Sequence, residues 1–170
     1  MTLSEKIVQE LIKQRKTVTT AESCTGGLIA AELTNVSGAS SVFECGFVTY
    51  ANRIKTKALG VKESTLRSFG AVSKETAKEM AEGAKKQAGA DFAIAVTGIA
   101  GPLSDDTEKP VGLIFIACAE ENGTEILKLE NHFTENVREQ NREAAKTAAL
   151  ELLWRHLTHE AKQTDNPKNV

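Results

Sequence analysis

The chain has few of the residues on which several common classes of protein depend. It contains 3 cysteines, an odd number and too few for a disulfide framework, so we expect a reducing compartment. Aromatic residues make up only 5% of the chain, which leaves little material for stacking nucleic-acid bases. The apolar run at 111–119 is much shorter than the about 20 residues of a membrane-spanning helix. The first residues lack a signal-peptide pattern, and we expect a cytoplasmic protein.

Neither sign of charge dominates the sequence. There are 21 Lys and Arg against 23 Asp and Glu, a formal net charge of -2, so the whole-molecule field does not attract nucleic acid. With 170 residues, 41% hydrophobic and 26% charged, the composition is typical of a single globular domain. We expect that domain over residues 1–160, a flexible tail over 161–170, and a small molecule as ligand, with neither nucleic acid nor membrane as a partner.

Helical and strand patterns alternate along the chain. Helices are predicted over residues 3–15, 28–33, 53–59, 64–69, 73–88 and 137–157, with Asn52 as the amino-terminal cap of the third. Strands are predicted over residues 18–22, 42–50, 91–96 and 111–119, and Asn122-Gly123 predicts a hairpin to a last strand. The pattern indicates the α/β class: a three-layer α/β/α sandwich on a mixed, mostly parallel sheet with one antiparallel hairpin.

Small polar turns follow three of the predicted strands, at residues 23–27, 51–55 and 97–102. The carboxyl ends of parallel strands meet at one edge of a sheet, where helix amino termini present free N–H groups to anions. We therefore predict that the three turns share one site. None of them has the Walker A or dinucleotide glycine pattern, which disfavours ATP hydrolysis and hydride transfer.

The three histidines, His132, His156 and His159, lie late in the chain without Cys or His partners at metal-ligand spacing. Neither a metal site nor a Ser-His-Asp triad is therefore predicted. The remaining option for nucleophilic chemistry is a hydroxyl activated by a lysine, and the turns supply Ser23 and Lys55. The lysine acts as a base only if burial or nearby positive charge lowers its pKa.

Each of these residues also has a purely structural interpretation. In that interpretation Ser23 or Thr25 serves only as the cap of the helix that follows, and Lys55 is an ordinary solvated lysine on a helix. Cys24 at the same helix amino terminus would have a lowered thiol pKa, but it lacks a histidine partner.

Two further pairs of residues also have a structural interpretation. Gly98 and Gly101 would be required only by the geometry of the turn. Arg138 and Arg142, one helical turn apart, would either bind a phosphate together or be ordinary solvated arginines.

Five segments carry a family resemblance. They are Ala21-Glu-Ser-Cys-Thr-Gly-Gly27, Gly46-Phe-Val-Thr-Tyr-Ala-Asn52 with Lys55, Gly70-Ala-Val-Ser73, Thr97-Gly-Ile-Ala-Gly-Pro102 and Glu108-Lys-Pro-Val-Gly112. In this order they resemble the CinA C-terminal domain family, the nicotinamide-nucleotide amidases. The resemblance covers residues 5–157 and is to the stand-alone, single-domain form.

The resemblance implies an amidohydrolase of pyridine nucleotide recycling that converts nicotinamide mononucleotide to nicotinate mononucleotide and ammonia. It implies no metal or other cofactor, and a homo-oligomer of two or more subunits. The catalytic residues it implies are Ser23, Lys55 and Tyr50, with Ser41 as a second candidate nucleophile. The substrate-binding residues it implies are Thr25, Gly26, Ser41, Asn52, Thr97, Gly98, Ala100, Gly101, Arg138 and Arg142. A helix amino terminus with Arg138 or Arg142 would hold the phosphate.

The chain departs from the family pattern at two places. Residues 103–107 read Leu-Ser-Asp-Asp-Thr where the family has Asp-Gly-Gly and polar residues, and the added Asp105 and Asp106 would occlude the pocket or repel a phosphate. Asn136-Val137 replaces the Gly-Asp pair that precedes Arg138 in the family. The alternative hypothesis is therefore a catalytically weak or inactive paralogue that acts as a nucleotide-binding or regulatory module.

Overall fold

The computed structural model describes residues 1–158, in which a five-stranded sheet lies between two layers of helices. The strands are β1 (Val18–Glu22), β2 (Gly46–Val48), β3 (Phe92–Gly98), β4 (Leu113–Glu120) and β5 (Gly123–Glu130), in the spatial order β2-β1-β3-β4-β5. Strands β2, β1 and β3 are parallel, whereas β4 is antiparallel to both of its neighbours. The predicted hairpin between β4 and β5 is confirmed. The β3–β4 pair adds a second antiparallel contact beyond the one predicted hairpin.

Three helices cover each face of the sheet. Helices α1 (Leu3–Gln14), α2 (Leu28–Thr34) and α6 (Val137–Thr158) pack on one face. Helices α3 (Asn52–Leu59), α4 (Glu63–Phe69) and α5 (Lys74–Ala88) form the layer on the other. The three-layer α/β/α sandwich predicted from the sequence is therefore confirmed.

The side chains of β3 alternate between the two faces and set how closely the helices approach. Ile94 and Val96 fill the core shared with α1 and α6, whereas Ala93 and Ala95 belong to the core shared with α5. On that face α5 contributes mainly alanines, so helix and sheet meet through small side chains. Gly83 of α5 lies so close to the carboxyl end of α3 that a Cβ there would strike the carbonyl oxygen of that helix's last residue. Helix α3 is thus fixed against α5.

Most predicted boundaries agree with the structure to within two residues, but the start of β2 and the cap of α3 differ in ways that concern candidate site residues. Strand β2 covers only Gly46–Val48 instead of residues 42–50, because the N–H groups of Val42 and Phe43 donate to the Ala39 carbonyl and continue a short 3₁₀ helix, Ala39–Ser41. The predicted cap at Asn52 is also wrong by one position, because Ala51 has the extended conformation of the cap and Asn52 is the first helical residue. Because β2 begins only at Gly46, Ser41 does not lie next to a strand, contrary to the prediction.

Residues 159–170 lie outside the described part of the chain, and with them the predicted tail, the end of the predicted domain and His159. Within residues 1–158 no helix is long and apolar enough to cross a membrane.

Candidate active site

The register of the sheet places Ser23 beside Thr97. Strands β1 and β3 pair in parallel as far as Glu22 and Val96. The N–H of Ser23 then donates to the Val96 carbonyl at 3.0 Å, which extends the ladder by one residue. Because side chains alternate along a strand, Ser23 and Thr97 leave the sheet on the same face, the one covered by α3 and α5.

A cavity of about 230 Å³ opens at this edge of the sheet. It is lined by all three residues that the resemblance implies as catalytic, Ser23, Tyr50 and Lys55. Five of the implied substrate-binding residues also line it: Thr97, Gly98, Ala100, Gly101 and Arg138. The turns that follow β1, β2 and β3 therefore meet at one cavity, as the strand-end argument predicts.

Lys55 lies at the centre of this site and is only 1% exposed. Its Nζ is 3.0 Å from the Ser23 hydroxyl, 2.7 Å from the Thr49 carbonyl oxygen and 3.1 Å from that of Tyr50. Burial disfavours the charged form and lowers the pKa of Lys55 to about 8. The interpretation of Lys55 as a solvated lysine is therefore wrong.

Three oxygen atoms surround Nζ, and the charged form of Lys55 can donate one N–H to each of them. Once Nζ loses a proton, two N–H donors remain for the carbonyl oxygens of Thr49 and Tyr50. The lone pair is then available to accept the hydroxyl hydrogen of Ser23, 3.0 Å away. The carbonyl groups thus orient the lone pair toward the hydroxyl. This is the arrangement of an activated serine.

Glu22 was not predicted from the sequence, and it supports the turn that carries Ser23 without itself lining the cavity. Its side chain is fully buried, and its carboxylate accepts hydrogen bonds from the N–H groups of Gly27, Ile29 and Ala30 at 3.0, 3.2 and 2.9 Å. Glu22 therefore caps α2 in place of Ser23 or Thr25, which leaves the Ser23 hydroxyl available to Lys55. An acidic residue immediately before a glycine turn and a helix was the available signal.

The same contact makes the amino terminus of α2 an unfavourable place for a phosphate. The carboxylate of Glu22 already accepts from three of the N–H groups there, and its negative charge opposes that of a second anion.

Replacing Glu22 by glutamine is expected to lower the free energy of unfolding by about 2 kcal/mol. The three N–H donors would lose their charged acceptor, and the new amide NH₂ would face donors. Urea unfolding at pH 7 measures the change. Glu63→Gln is the matched control, because the Glu63 carboxylate is exposed and only 3.8 Å from Arg67, a pair worth less than about 1 kcal/mol. Equal changes in the two variants contradict a special role for Glu22.

Cys24 follows Ser23 but has a different environment. Its side chain belongs to the core on the α6 face, and burial raises the pKa of the thiol to about 11. The prediction of a lowered thiol pKa is therefore wrong, and Cys24 stays protonated at neutral pH.

Arg142 supports the first turn from outside the cavity. Its Nε donates to the Cys24 carbonyl at 3.0 Å and its Nη2 to the Thr25 carbonyl at 3.1 Å. Gly26, at φ +61°, lies close to the same guanidinium. None of Thr25, Gly26 and Arg142 lines the cavity, so these residues shape the turn that carries Ser23.

Ser41 and Asn52 are also placed away from the cavity. Ser41 is exposed in the 3₁₀ helix, where its hydroxyl donates to the Gly38 carbonyl at 2.8 Å. Asn52 is exposed at the start of α3 and lines a separate groove. The geometry favours Ser23 over Ser41 as the nucleophile.

Arg138 and Tyr50 lie at the mouth of the cavity. The Nη1 of Arg138 donates to the Gly101 carbonyl at 2.9 Å, and its Nη2 donates to the Tyr50 hydroxyl oxygen at 2.7 Å. Tyr50 is 59% exposed. A guanidinium has five N–H donors, so Arg138 retains donors for an anion.

The turns after β1 and β3 contain backbone N–H groups that are available as donors. Among the described residues, the N–H groups of Cys24, Ala100 and Gly101 donate to no other protein group. All three residues line the cavity. Gly101 is at φ +81°, and a Cβ there would strike Val111, so this turn depends on glycine.

The loop over residues 103–107 contributes one acidic side chain to the cavity. Asp105 lines it together with Leu103 and Ser104, and the Asp105 carboxylate accepts from the N–H and the hydroxyl of Thr107. Asp106 adopts φ +64° and does not line the cavity. The loop therefore borders the cavity and adds one carboxylate to its lining.

No group of three or more His, Cys, Asp or Glu side chains within residues 1–158 is placed to hold a metal ion. His132 is exposed, and His156 Nε2 lies 2.7 Å from the Glu125 carboxylate.

Comparison with known proteins identifies a family. The model of the CinA C-terminal domain family matches residues 1–157. A CinA-like protein of Endomicrobium trichonymphae is 49% identical over 156 residues, which are 92% of this chain and 36% of that protein. The chain thus spans about a third of the length of the curated relatives it matches.

Solved structures share the fold along most of their length. The competence/damage inducible protein CihA from Agrobacterium tumefaciens superposes with a TM-score of 0.85 at 44% identity, covering 92% of this chain and 93% of that one. A CinA superfamily protein from Klebsiella pneumoniae gives a TM-score of 0.86 at 33% identity, covering 92% and 96%.

Proposed function

The chain belongs to the CinA C-terminal domain family, as its motifs predict, and we propose that it is an amidohydrolase that converts nicotinamide mononucleotide to nicotinate mononucleotide and ammonia. The observation that carries the proposal is the buried Nζ of Lys55, 3.0 Å from the Ser23 hydroxyl. Burying an amine is costly, and a lowered lysine pKa beside a hydroxyl in a cavity is typical of catalytic sites.

The first half of the reaction forms an acyl-enzyme. Ser23 Oγ attacks the carboxamide carbon while Lys55 Nζ accepts the hydroxyl proton, and a C–O bond forms. The carbonyl oxygen becomes an oxyanion, for which the free N–H groups of Cys24, Ala100 and Gly101 are the candidate donors. The C–N bond then breaks, and the ammonium of Lys55 returns its proton to the departing nitrogen as ammonia leaves.

The second half of the reaction releases the acid. Water attacks the ester carbon and Lys55 accepts its proton, after which the bond between carbon and Ser23 Oγ breaks and the serine is reprotonated. The net change is one water consumed, with a carboxylic acid and ammonia formed. Lys55 thus acts as base in each attack and as acid in each departure.

The size of the cavity supports a substrate that is only partly enclosed. Its 230 Å³ is below the about 300–1,000 Å³ of sites that bury a whole drug-sized ligand. We assign the cavity to the pyridine ring and its carboxamide, and the ribose phosphate to the mouth beside Tyr50. Arg138, with free N–H donors there, is the candidate partner for the phosphate.

One observation favours the second candidate function, a nucleotide-binding module with little or no turnover. Asp105 lines the cavity where the family pattern has glycines, and its charge opposes that of a phosphate. Calorimetric binding of nicotinamide mononucleotide without ammonia release would support this second function.

An ammonia-release assay tests the first function. Incubation with nicotinamide mononucleotide is expected to yield ammonia and nicotinate mononucleotide in equal amounts, whereas heat-denatured protein yields neither. The same assay is repeated with free nicotinamide and with pyridine dinucleotides to define which amide is the substrate. No ammonia above the denatured control, in an assay where an active family amidase works, contradicts the proposal.

The proposal extends to the setting of the enzyme. We place it in the cytoplasm as a homo-oligomer of two or more subunits, with a pyridine nucleotide as its small-molecule ligand and no cofactor. Sedimentation velocity of the purified protein tests the assembly, and a monomer at all concentrations contradicts it.

A further inference from the structure

We infer that Thr97 makes the site select a carboxamide over a carboxylate. The inference rests on the proposed function, because it concerns how the amide lies against Ser23. Thr97 occupies the register position beside Ser23 on the same face of the sheet and lines the same cavity.

The hydroxyl hydrogen of Thr97 is already committed. Its Oγ1 donates to the Ala71 carbonyl oxygen at 2.7 Å, and the side chain is 1% exposed. A hydroxyl has one hydrogen to donate and two lone pairs to accept with, so Thr97 can offer a ligand only acceptor capacity. A hydroxyl that is free to rotate would accept from an amide and donate to a carboxylate without preference.

The segment that carries the carbonyl acceptor is held in place by several contacts. The hydroxyl groups of Ser73 and Thr76 both donate to the Gly70 carbonyl, at 3.0 and 2.7 Å. Lys109 Nζ donates to the Val72 carbonyl at 2.6 Å. Hydrogen bonds thus fix Gly70 and Val72, the residues on both sides of Ala71. The Ala71 carbonyl therefore keeps its position and holds the Thr97 hydroxyl in one orientation.

A fixed acceptor distinguishes the substrate from its product. A carboxamide NH₂ has two N–H donors, one of which can reach Thr97 Oγ1, and this places the leaving nitrogen on the β3 side of Ser23. An ionised carboxylate has only acceptors, so lone pairs face lone pairs. Protonated Lys55 attracts the acidic product, and Thr97 opposes that attraction, which speeds product release.

Calorimetry on three proteins tests the inference. The background is Ser23→Ala, which prevents turnover, and the two added changes are the isosteric Thr97→Val and the hydroxyl-retaining Thr97→Ser. Each protein is titrated with two amide and acid pairs, the nicotinamide and nicotinate mononucleotides and free nicotinamide and nicotinate. Thr97→Val is expected to weaken amide binding about fivefold, the worth of one neutral hydrogen bond, without weakening acid binding. Thr97→Ser is expected to keep the original preference for the amide.

The outcomes separate this inference from the proposed function. If Thr97→Val weakens amide and acid by the same factor, Thr97 is a structural support for the Ala71 segment and the inference is overturned. If Thr97→Val changes neither the amide nor the acid affinity, the inference is overturned as well. If only free nicotinamide and nicotinate bind and their ratio shifts, the inference stands and the mononucleotide is rejected as substrate. If neither pair binds, both the inference and the proposed function are overturned.

Discussion

Replacing Lys55 by methionine is expected to lower kcat for ammonia release by on the order of 10⁴-fold, the upper end of what one general acid and base supplies. Methionine keeps the length and apolar stem of lysine, but it has neither the lone pair that accepts the Ser23 proton nor the proton that ammonia takes away. Ammonia release with saturating nicotinamide mononucleotide measures the loss. KM is expected to change little, because Lys55 contacts the nucleophile and two backbone carbonyls.

The matched control for this variant is Lys57→Met. Lys57 lies on the same helix but is exposed, so its replacement is expected to leave kcat within about twofold of the wild type. A Lys55→Met enzyme that retains a tenth of wild-type kcat contradicts the role of Lys55 as base.

The pH dependence of wild-type activity follows from the same residue. Because the pKa of Lys55 is lowered to about 8, the rate is expected to rise with pH until about 8 and then level off. A profile that is flat between pH 6 and 9 contradicts the assignment.

The lowered pKa also makes stability depend on pH. Between pH 8 and 10.5 the unfolded chain carries a proton on Lys55 that the native protein has lost, so the free energy of unfolding rises with pH in this window. Below pH 8 the cost of burying the ammonium is fully present. In urea unfolding, the free energy of unfolding of the wild type is therefore expected to rise by about 2 kcal/mol relative to that of Lys55→Met between pH 7 and 10. Because the two proteins differ only at residue 55, the difference between them reports this group alone.

Much of the fold was readable because local signals agreed with the tertiary structure. The Asn122-Gly123 turn and the apolar run before it predict the β4–β5 hairpin that the structure contains. The sequence also contains information on the direction of β4 relative to β3. A parallel crossover needs a dozen or more residues, usually with a helix, and no helical pattern occurs between residues 99 and 112.

The start of β2 could not be predicted from the sequence. Val42 and Phe43 have strong strand propensity, but their N–H groups bond to Ala39 and their side chains pack into the core or against it. Tertiary contacts therefore overrode a local preference that spans about 1 kcal/mol.

Within the site, the sequence supplied residue types but not environments. Ser23 and Lys55 were paired because both follow strand ends, and the structure brings their side chains into contact. The burial of Lys55 depends on α3 packing against α5, where Gly83 meets the end of α3, and nothing local to residue 55 reports that contact. The same limit applies to Glu22, whose three bonds form only once the turn at Gly26 and Gly27 has folded back.

Replacing Ser23 by alanine is expected to lower kcat by 10⁴-fold or more on an order-of-magnitude scale, because the reaction loses its nucleophile. In the wild type, hydroxylamine is expected to intercept the acyl-enzyme and divert product to the hydroxamate, whereas Ser23→Ala gives none. Ser41→Ala is the matched control, because Ser41 is exposed in the 3₁₀ helix, bonded only to the Gly38 carbonyl. Wild-type activity in Ser23→Ala together with loss in Ser41→Ala would reverse the assignment of the nucleophile.

The double variant Ser23→Ala/Lys55→Met decides whether the two residues act as one unit. If Lys55 works only by moving the proton of Ser23 and returning it to the leaving group, its removal has no further cost once the hydroxyl is absent. The double variant is then expected to be no slower than Ser23→Ala alone, within about threefold, because groups of one catalytic unit are strongly non-additive. A further 10⁴-fold loss would mean that Lys55 acts on the substrate independently of Ser23. The 3.0 Å contact between Lys55 Nζ and Ser23 Oγ is the physical reason to expect the first result.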